Sequence, residues 1–590
     1  MKIRLPPRIG LARLSMLAVL VGLITGFGAV LFHALIAFIH NLLFLGKISI
    51  LSDPNQFTPP SPFGAFVIIV PVLGGLVVTF LVTNFAPEAR GHGVPEVMDA
   101  IYFREGVIRP IVAAIKSLAS AISIATGAAV GREGPIIQIG ASLGSTLGQV
   151  VDIAPWQRIT LVAAGAGAGI AATFNTPIGG VMFALELMMP ELSARTFLPV
   201  ALATGIATFI GRIFLGLQPA FDVPIEMLLD HPPSLAALLL YAVLGALMGV
   251  AATSFIRGLG FAEETFERIR NPYLRHTIGM LIIGVLIYTL LRTTGRYYVE
   301  GVGYATIQAI LAGSLVAPGL LALLYVAKLF ATSVSLGSGS SGGIFSPSLF
   351  MGATLGGAFG AVVLLIHPVP QFSVATCAVI GMAAMVGGGT GAVMTAVTMT
   401  FEMTRDYDLV MPIIIAVALS VGVRRLLSQE NIYTIKLAGR RHFVPKALHA
   451  NMFLVRHANE VMETDIIRLP ADTDFDAFLR SPETGIGLKH VVVTRGDRIA
   501  GVVRVNTALR RGLESAYTGV TLGSVAQRNF IIAREDDIVF DVVTRMTRRN
   551  AAMAVVTRDV RRPHAADVVG IISKEHIADS VAESIKPYGD

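Results

Sequence analysis

Residues 125–140 read ATGAAVGREGPIIQIG, and in this stretch two adjacent charged residues, Arg132 and Glu133, interrupt small and apolar side chains. No other charged residue occurs between Ser117 and Val151. A charged pair between helices is ordinarily part of a hydrophilic loop, but these flanks are apolar. An ionisable side chain at membrane depth is costly and by default indicates a functional site.

The composition separates a membrane domain from a polar tail. Of 590 residues 54% are hydrophobic and 14% charged, whereas soluble domains carry about 25% charge. Residues 441–590 hold 21 Lys+Arg and 19 Asp+Glu, close to half of all the charges in the chain. We therefore expect a transmembrane domain over 1–440, with halves at about 10–216 and 235–440, followed by a soluble domain.

Basic residues flank the hydrophobic region at both ends, as the N-terminal sequence MKIRLPPR and the pairs at 424–425 and 440–441. The positive-inside tendency predicts that the N-terminus and the tail are both cytoplasmic. The apolar segment 14–39 is too long for a signal peptide core, so we expect a retained first helix. Because the basic residues alternate with acidic ones, no nucleic-acid partner is predicted.

Two similar series of short, glycine-interrupted apolar segments indicate an internal repeat. In each, a Gly-rich break ending in proline is followed, 51 or 55 residues later, by a glutamate that ends a small-residue helix: GREGP (131–135) and FNTPIGGVMFALELM (174–188), then GGIFSP (342–347) and GTGAVMTAVTMTFEMT (389–404). Broken helices in corresponding halves are typical of transporter-like sites. The predicted fold is an all-α polytopic membrane domain of two inverted repeats.

The two breaks have the chemistry of an anion site. Pro135 is suited to the first turn of a helix, and glycines allow close approach of backbone amides. A helix N-terminus offers unpaired N–H donors and a positive dipole end, which favour anions. Glu133 is itself an anion at this end, so it can compete with a small anion and leave when it is protonated or displaced. The second break, LGSGSSGGIFSPS (336–348), repeats these features.

The tail contains a repeat of its own, over 461–507 and 524–576, each with strand, helix, Val-rich strand and a strand that opens with Gly. This pattern resembles a pair of CBS modules, at 456–511 and 520–585, and predicts a cytoplasmic α/β unit. Adenosine-binding modules often place an aspartate where this chain has Thr507 and His576. Nucleotide binding by the pair is therefore doubtful, and a structural role is the expectation.

Four motifs together resemble the signature regions of the CLC chloride channel and transporter family. They are GHGVPE (91–96), GREGP (131–135), GGIFSP (342–347) and NIYTIKL (431–437), in the family's order. The resemblance implies the CLC fold and a homodimer with one anion pathway per subunit. It also implies an integral protein of a bacterial-type inner or plasma membrane.

The resemblance assigns roles to individual residues. Glu133 matches the gating glutamate, Ile344 and Phe345 match backbone donors to the anion, and Tyr433 matches the coordinating tyrosine. Lys116 occupies a position that is often basic and would raise the local potential. The other anion-binding candidates, which belong to the same motifs, are His92, Gly93, Arg132 and Gly134.

The chain departs from the family pattern in two places. His92 replaces a serine that helps to bind the anion; an imidazole N–H can also donate, so the role could persist with altered selectivity or pH response. Exchangers of the family usually have a proton-transferring glutamate where this chain has Leu187, and leucine cannot carry a proton. Glu186 is adjacent, but a shift of one residue turns a helical side chain by about 100°. Glu186 and Leu187 are both candidate positions of a proton route.

The sequence therefore predicts chloride transport, with bromide and nitrate as further candidate anions, through a passive or loosely coupled pathway. The first alternative is a proton-coupled exchanger with a substitute proton route. The second, from another class, is a CBS-regulated cation channel or carrier, which would need clustered membrane acids. No catalytic residue, metal site, cofactor or enzyme activity is predicted; the expected ligand is the chloride ion.

Overall fold

The structure is a computed structural model that describes residues 9–190, 193–217, 220–221, 234–367, 372–440, 442, 456–479, 490–505, 519–558 and 564–578. The chain divides into two compact units, Met1–Val444 and Pro445–Asp590. Among the described residues, the first unit is built of helices, and every strand that belongs to a sheet lies in the second unit.

The first unit is helical and opens with eight helices: α1 Leu11–Leu45, α2 Val70–Asn84, α3 Val94–Phe103, α4 Ile111–Ala125, α5 Glu133–Val150, α6 Pro155–Phe174, α7 Pro177–Phe183 and α8 Ala194–Leu215. Directly after α7, one π-helical turn, Ala184–Met188, extends the helix to Glu186 and Leu187. Proline stands at the first or second position of α2, α3, α6 and α7, where it needs no hydrogen-bond donor.

A second set repeats the order and character of the first: α9 Leu235–Glu267, α10 Pro272–Thr294, α11 Tyr304–Leu311, α12 Pro318–Ser338, α13 Phe345–Ile366, α14 Val374–Thr390, α15 Val393–Thr404 and α16 Val410–Leu427, with the short α17 Thr434–Gly439 after it. The short helices α3 and α11 each begin directly after a Gly-x-Gly sequence. The predicted all-helical architecture of two related halves with broken helices is confirmed.

The same close contact occurs in both halves. A Cβ atom built on Gly140 of α5 or on Gly165 of α6 would lie 2.1 Å from the other residue's carbonyl oxygen. The equivalent pair is Gly352 of α13 and Gly381 of α14, at 2.4 and 2.3 Å. Small residues let helices pack closely where lipid provides no hydrophobic drive for association. Among the described helices, eight are long and apolar enough to cross a membrane.

The second unit contains two similar α/β modules. The first has α18 Ala458–Val461, β1 Ile466–Pro470, α19 Phe475–Leu479, β2 His490–Arg495 and β3 Arg498–Arg504; the second has α20 Leu522–Val525, β4 Phe530–Arg534, α21 Val539–Arg548, β5 Met553–Thr557 and β6 Val568–Ser573. In each sheet the first two strands are parallel and the last two antiparallel. This repeat agrees with the resemblance to a CBS pair. Thr507 lies outside the described residues.

Candidate anion-binding site

Glu133 is the first residue of α5 and is completely buried. Its carboxylate accepts hydrogen bonds from the backbone N–H of Ser346, at 3.2 Å, and from the Ser346 hydroxyl, at 2.5 Å. The Tyr304 hydroxyl donates to its other oxygen. Since Ser346 is in the first turn of α13, the acidic side chain of one half occupies the N-terminus of a broken helix of the other half. A helix N-terminus is the place where unpaired N–H groups and the helix dipole favour an anion.

A short backbone bridge joins the two Gly-rich breaks. The N–H groups of Gly131 and Gly343 each donate to the other residue's carbonyl oxygen, at 2.7 and 2.6 Å. Gly134 lies where three motifs meet, since a Cβ there would be 2.3 Å from the His92 carbonyl oxygen and 2.8 Å from Gly343 Cα. Only glycine fits this close approach, and it holds the starts of α5 and α13 against each other.

Tyr304 and Ser346 are functional candidates that the sequence analysis missed. Tyr304 is the first residue of α11, is 1% exposed, and its hydroxyl lies 3.1 Å from that of Ser346. A signal for it exists in the sequence. The Gly-x-Gly at 91–93 recurs at 301–303, so the residue that opens α11 corresponds to the residue that opens α3.

Arg132 contacts His33 and the ring of Tyr304. Its Nη1 lies 2.8 Å from Nδ1 of His33, and its guanidinium is 5.2 Å from the centre of the Tyr304 ring. Because arginine only donates hydrogen bonds, His33 must accept through an unprotonated nitrogen. In this structure Arg132 therefore supports the ring of Tyr304 rather than the carboxylate of Glu133.

The rings of His92 and Tyr433 lie close together. Their ring centres are 5.8 Å apart, and the two residues are 2% and 1% exposed. Within the described part of the chain, His92 Nδ1 is buried and has no hydrogen-bond partner. Gly93, with a φ of +84°, turns the backbone into α3 immediately after His92. A buried nitrogen without a partner beside a tyrosine is suited to donate to a dehydrated anion.

Ile344 and Phe345 lie at the start of α13, and both are buried. Ile344 is the capping residue, and its carbonyl oxygen already accepts from the N–H of Ser348. The first N–H groups of a helix have no partner within it, and Pro347 contributes none. The available donors at this end are therefore few, and Glu133 uses the one on Ser346.

Lys116 binds backbone carbonyl oxygens. It has a counterpart in the second half that the sequence analysis did not identify. Its ammonium donates to the carbonyl oxygens of Ala89 and Gly91, at 2.9 and 2.7 Å. Lys328 of α12 donates to Val299 and Gly301 at the same two distances. Both lysines are fully buried. Each ammonium fixes the loop that leads into a short helix, α3 or α11.

Glu186, a candidate for the proton route, binds the N-terminus of α15. It accepts from the N–H groups of Met394 and Thr395, at 3.1 and 2.8 Å, and from the Thr395 hydroxyl at 2.8 Å. Leu187 is 8% exposed, on the same π-helical turn. No group of three or more metal-binding side chains occurs among the described residues.

The chain is similar in sequence to a known protein family and to named transporters. A family model described as voltage gated chloride channel matches residues 74–425. The H(+)/Cl(-) exchange transporter ClcA of Salmonella agona strain SL483 is 31% identical over 431 residues, which are 72% of this chain and 87% of that protein. The protein of the same name from Salmonella paratyphi B is 30% identical over 432 residues, 72% and 88% of the two chains.

Solved structures show the same architecture. A slow cyanobacterial Cl⁻/H⁺ antiporter superposes with a TM-score of 0.64 and 25% identity, covering 72% of this chain and 98% of that one. A eukaryotic CLC transporter superposes with a TM-score of 0.62 and 21% identity. The second comparison covers 96% of this chain and 98% of the other, so the shared fold extends into the tail.

Proposed function

The chain belongs to the family of voltage-gated chloride channels and their transporter relatives, and we propose that it carries chloride across a membrane through a pathway closed by Glu133. The observation that carries this proposal is the hydrogen bond between the Glu133 carboxylate and the first turn of α13. Names of the relatives support chloride as the anion.

The mechanism is an exchange of anions at one helix end. Ionised Glu133 occupies the donors of Ser346 and Tyr304, and a chloride ion that displaces it receives the same donors. His92 and Tyr433 supply a neighbouring surface of polar groups. Lys116 is engaged with backbone oxygens, so no free ammonium needs to touch the ion, and binding stays weak enough for release.

For the coupling mode we propose passive or loosely coupled conduction. Leu187 has no proton to transfer, and the carboxylate of Glu186 is committed to three donors of α15. The alternative is a proton-coupled exchanger, favoured by the names of the relatives at 30–31% identity. A reversal-potential measurement under a pH gradient separates the two, because a passive chloride pathway ignores the gradient.

The experiment that tests the gate is isotopic chloride efflux from liposomes containing the Glu133→Gln variant. Glutamine cannot ionise, so we expect flux that persists and no longer depends on pH. Glu264→Gln, a change at an exposed glutamate near the end of α9, is the matched control and should behave as wild type. Flux that is abolished by Glu133→Gln would contradict the gate assignment.

The remaining features are proposals of the same kind. They are a homodimer with one pathway in each subunit, a cytoplasmic N-terminus and tail, transport of bromide and nitrate beside chloride, and a structural rather than nucleotide-binding role for the CBS pair. The basic residues at both ends of the membrane domain support the orientation.

A further inference from the structure

A cavity of about 130 Å³ lies beside Tyr304. Its lining includes the exposed residues Ser52, Asp53 and Gln56, from the segment that follows α1, and the buried Tyr304. A water molecule takes up roughly 30 Å³, so the cavity has room for several. It therefore lies between the aqueous side on which α1 ends and the tyrosine that contacts Glu133.

The wall of this cavity contains an acid and a base. The Glu300 side chain is 9% exposed, and one of its oxygens lies 3.4 Å from Nδ1 of His40 on α1. Glu300 also has a hydrogen bond with the Thr58 side chain. The Lys328 ammonium donates to carbonyl oxygens on both sides of Glu300, and Tyr297 lines the same cavity. A carboxyl group beside an imidazole, on backbone that a buried ammonium fixes, can take up and release protons at a defined place.

Tyr304 is the connection between the cavity and the gate. Glu133 is completely buried, so a proton that neutralises it has to arrive through a neighbouring group. Three groups donate to its carboxylate: the Tyr304 hydroxyl, the Ser346 hydroxyl and the Ser346 N–H. The side chains of Lys328 and Tyr433 also interact with it electrostatically. Of these, Tyr304 also lines the cavity.

We propose that Glu300 and His40 form a proton-loading site that serves Glu133 through the hydroxyl of Tyr304. A proton from the aqueous side passes to Glu300 and on to water in the cavity. That water protonates the Tyr304 oxygen while the hydroxyl gives its own proton to Glu133, so one proton is transferred and the tyrosine is regenerated. The inference rests on the gating role proposed for Glu133.

The test is the speed of the response to acid. Chloride current of the full-length protein in planar bilayers is followed after an acid jump on either side. Glu300→Gln should slow the current rise about a hundredfold or more for acid applied on the side where α1 ends, the lower end of the scale on which positioned acids act. The response to acid from the opposite side should keep its wild-type rate. Glu300→Asp, which retains a carboxyl group, should recover most of the rate.

Asp53→Asn is the matched control, because it removes another carboxylate from the lining without touching His40, and it should respond like wild type. A wild-type rate in Glu300→Gln, equal slowing from both sides, or equal slowing by Asp53→Asn would overturn the inference. None of these results bears on the gate, which fails only if Glu133→Gln abolishes chloride flux.

Discussion

Glu186 in the first half and Glu402 in the second half each bind the N-terminus of a helix in the other half. Glu186, just after α7, accepts from the first N–H groups of α15, while Glu402, near the end of α15, accepts from Ile178 and Gly179 of α7 at 3.1 and 2.7 Å. The helices α7 and α15 are therefore antiparallel, and each is capped by the other's acid. This reciprocity is the local sign of two inverted repeats.

Because both glutamates act as helix caps, we expect Glu186→Ala and Glu402→Ala to lower the free energy of unfolding by similar amounts. Hydrogen bonds to a charged group contribute about 1.5–3 kcal/mol each, and the cost should be of this order. Thermal unfolding in detergent measures it. A Glu186→Gln variant that folds normally but loses proton uptake during chloride efflux would instead place Glu186 on the proton route.

The Tyr304 hydroxyl should hold the gate closed. Tyr304→Phe removes one hydrogen bond to the ionised Glu133 and leaves the ring that packs against Arg132. We expect steady chloride flux at neutral pH to rise about tenfold, the equivalent of roughly 1.4 kcal/mol from such a bond. Liposome efflux measures it, and Tyr297→Phe, in the same cavity but bonded to the Ser61 N–H, is the control. Unchanged flux in Tyr304→Phe would show that the hydroxyl does not restrain the carboxylate.

The position of Glu133 could be predicted from the sequence, but its partners could not. A charged pair between apolar, Gly-rich flanks is a local pattern, and its cost in a membrane identifies it. Tyr304 and Ser346 are 171 and 213 residues away from Glu133, and their contact depends on how the broken helices of both halves pack. Lys328 could have been predicted from the sequence, because it follows Lys116 by the same 212 residues that separate Gly131 from Gly343.

His92 should contribute directly to anion affinity. Its buried Nδ1 has no partner in the described part of the chain, so it is free to donate to an ion near Tyr433. We expect His92→Ala to weaken the apparent chloride affinity about tenfold, as loss of a charge-assisted hydrogen bond implies, and His92→Ser to recover part of it. The chloride dependence of flux gives the affinity. The control is His367→Ala, at the exposed end of α13; equal affinities in His92→Ala and wild type would remove His92 from the site.

The two buried lysines should contribute about equally to the free energy of unfolding. Lys116→Met and Lys328→Met each leave two carbonyl oxygens without an ammonium, and each should cost about 2–3 kcal/mol of unfolding free energy. Lys47→Met, at an exposed lysine after α1, should cost little. Thermal unfolding in detergent compares the three. If Lys116→Met leaves stability intact and weakens chloride binding alone, the role of Lys116 is electrostatic, as the sequence first indicated.

A histidine in the tail should make the stability of the second unit depend on pH. His490 of β2 is 3% exposed, and its Nδ1 lies 2.7 Å from a Glu463 oxygen. Burial lowers the pKa of His490 below its ordinary value of 6.5, although the bond to Glu463 opposes this. Since the folded state binds the proton less readily than the unfolded chain does, the stability is fully present above that value. It is lost as the pH falls from there through the lower pKa of the folded state.

We therefore expect the strands around His490 to open more readily in acid. Hydrogen exchange of β2 in the full-length protein, corrected for the intrinsic effect of pH, should show weaker protection at about pH 5.5 than at about pH 7.5. His490→Phe keeps a ring of similar size without a titrating nitrogen, so protection of β2 should become independent of pH. β4, whose strand contains no histidine, serves as the internal reference. Protection that rises in acid would mean that the bond to Glu463 outweighs burial, because a protonated His490 would then be favoured in the folded unit.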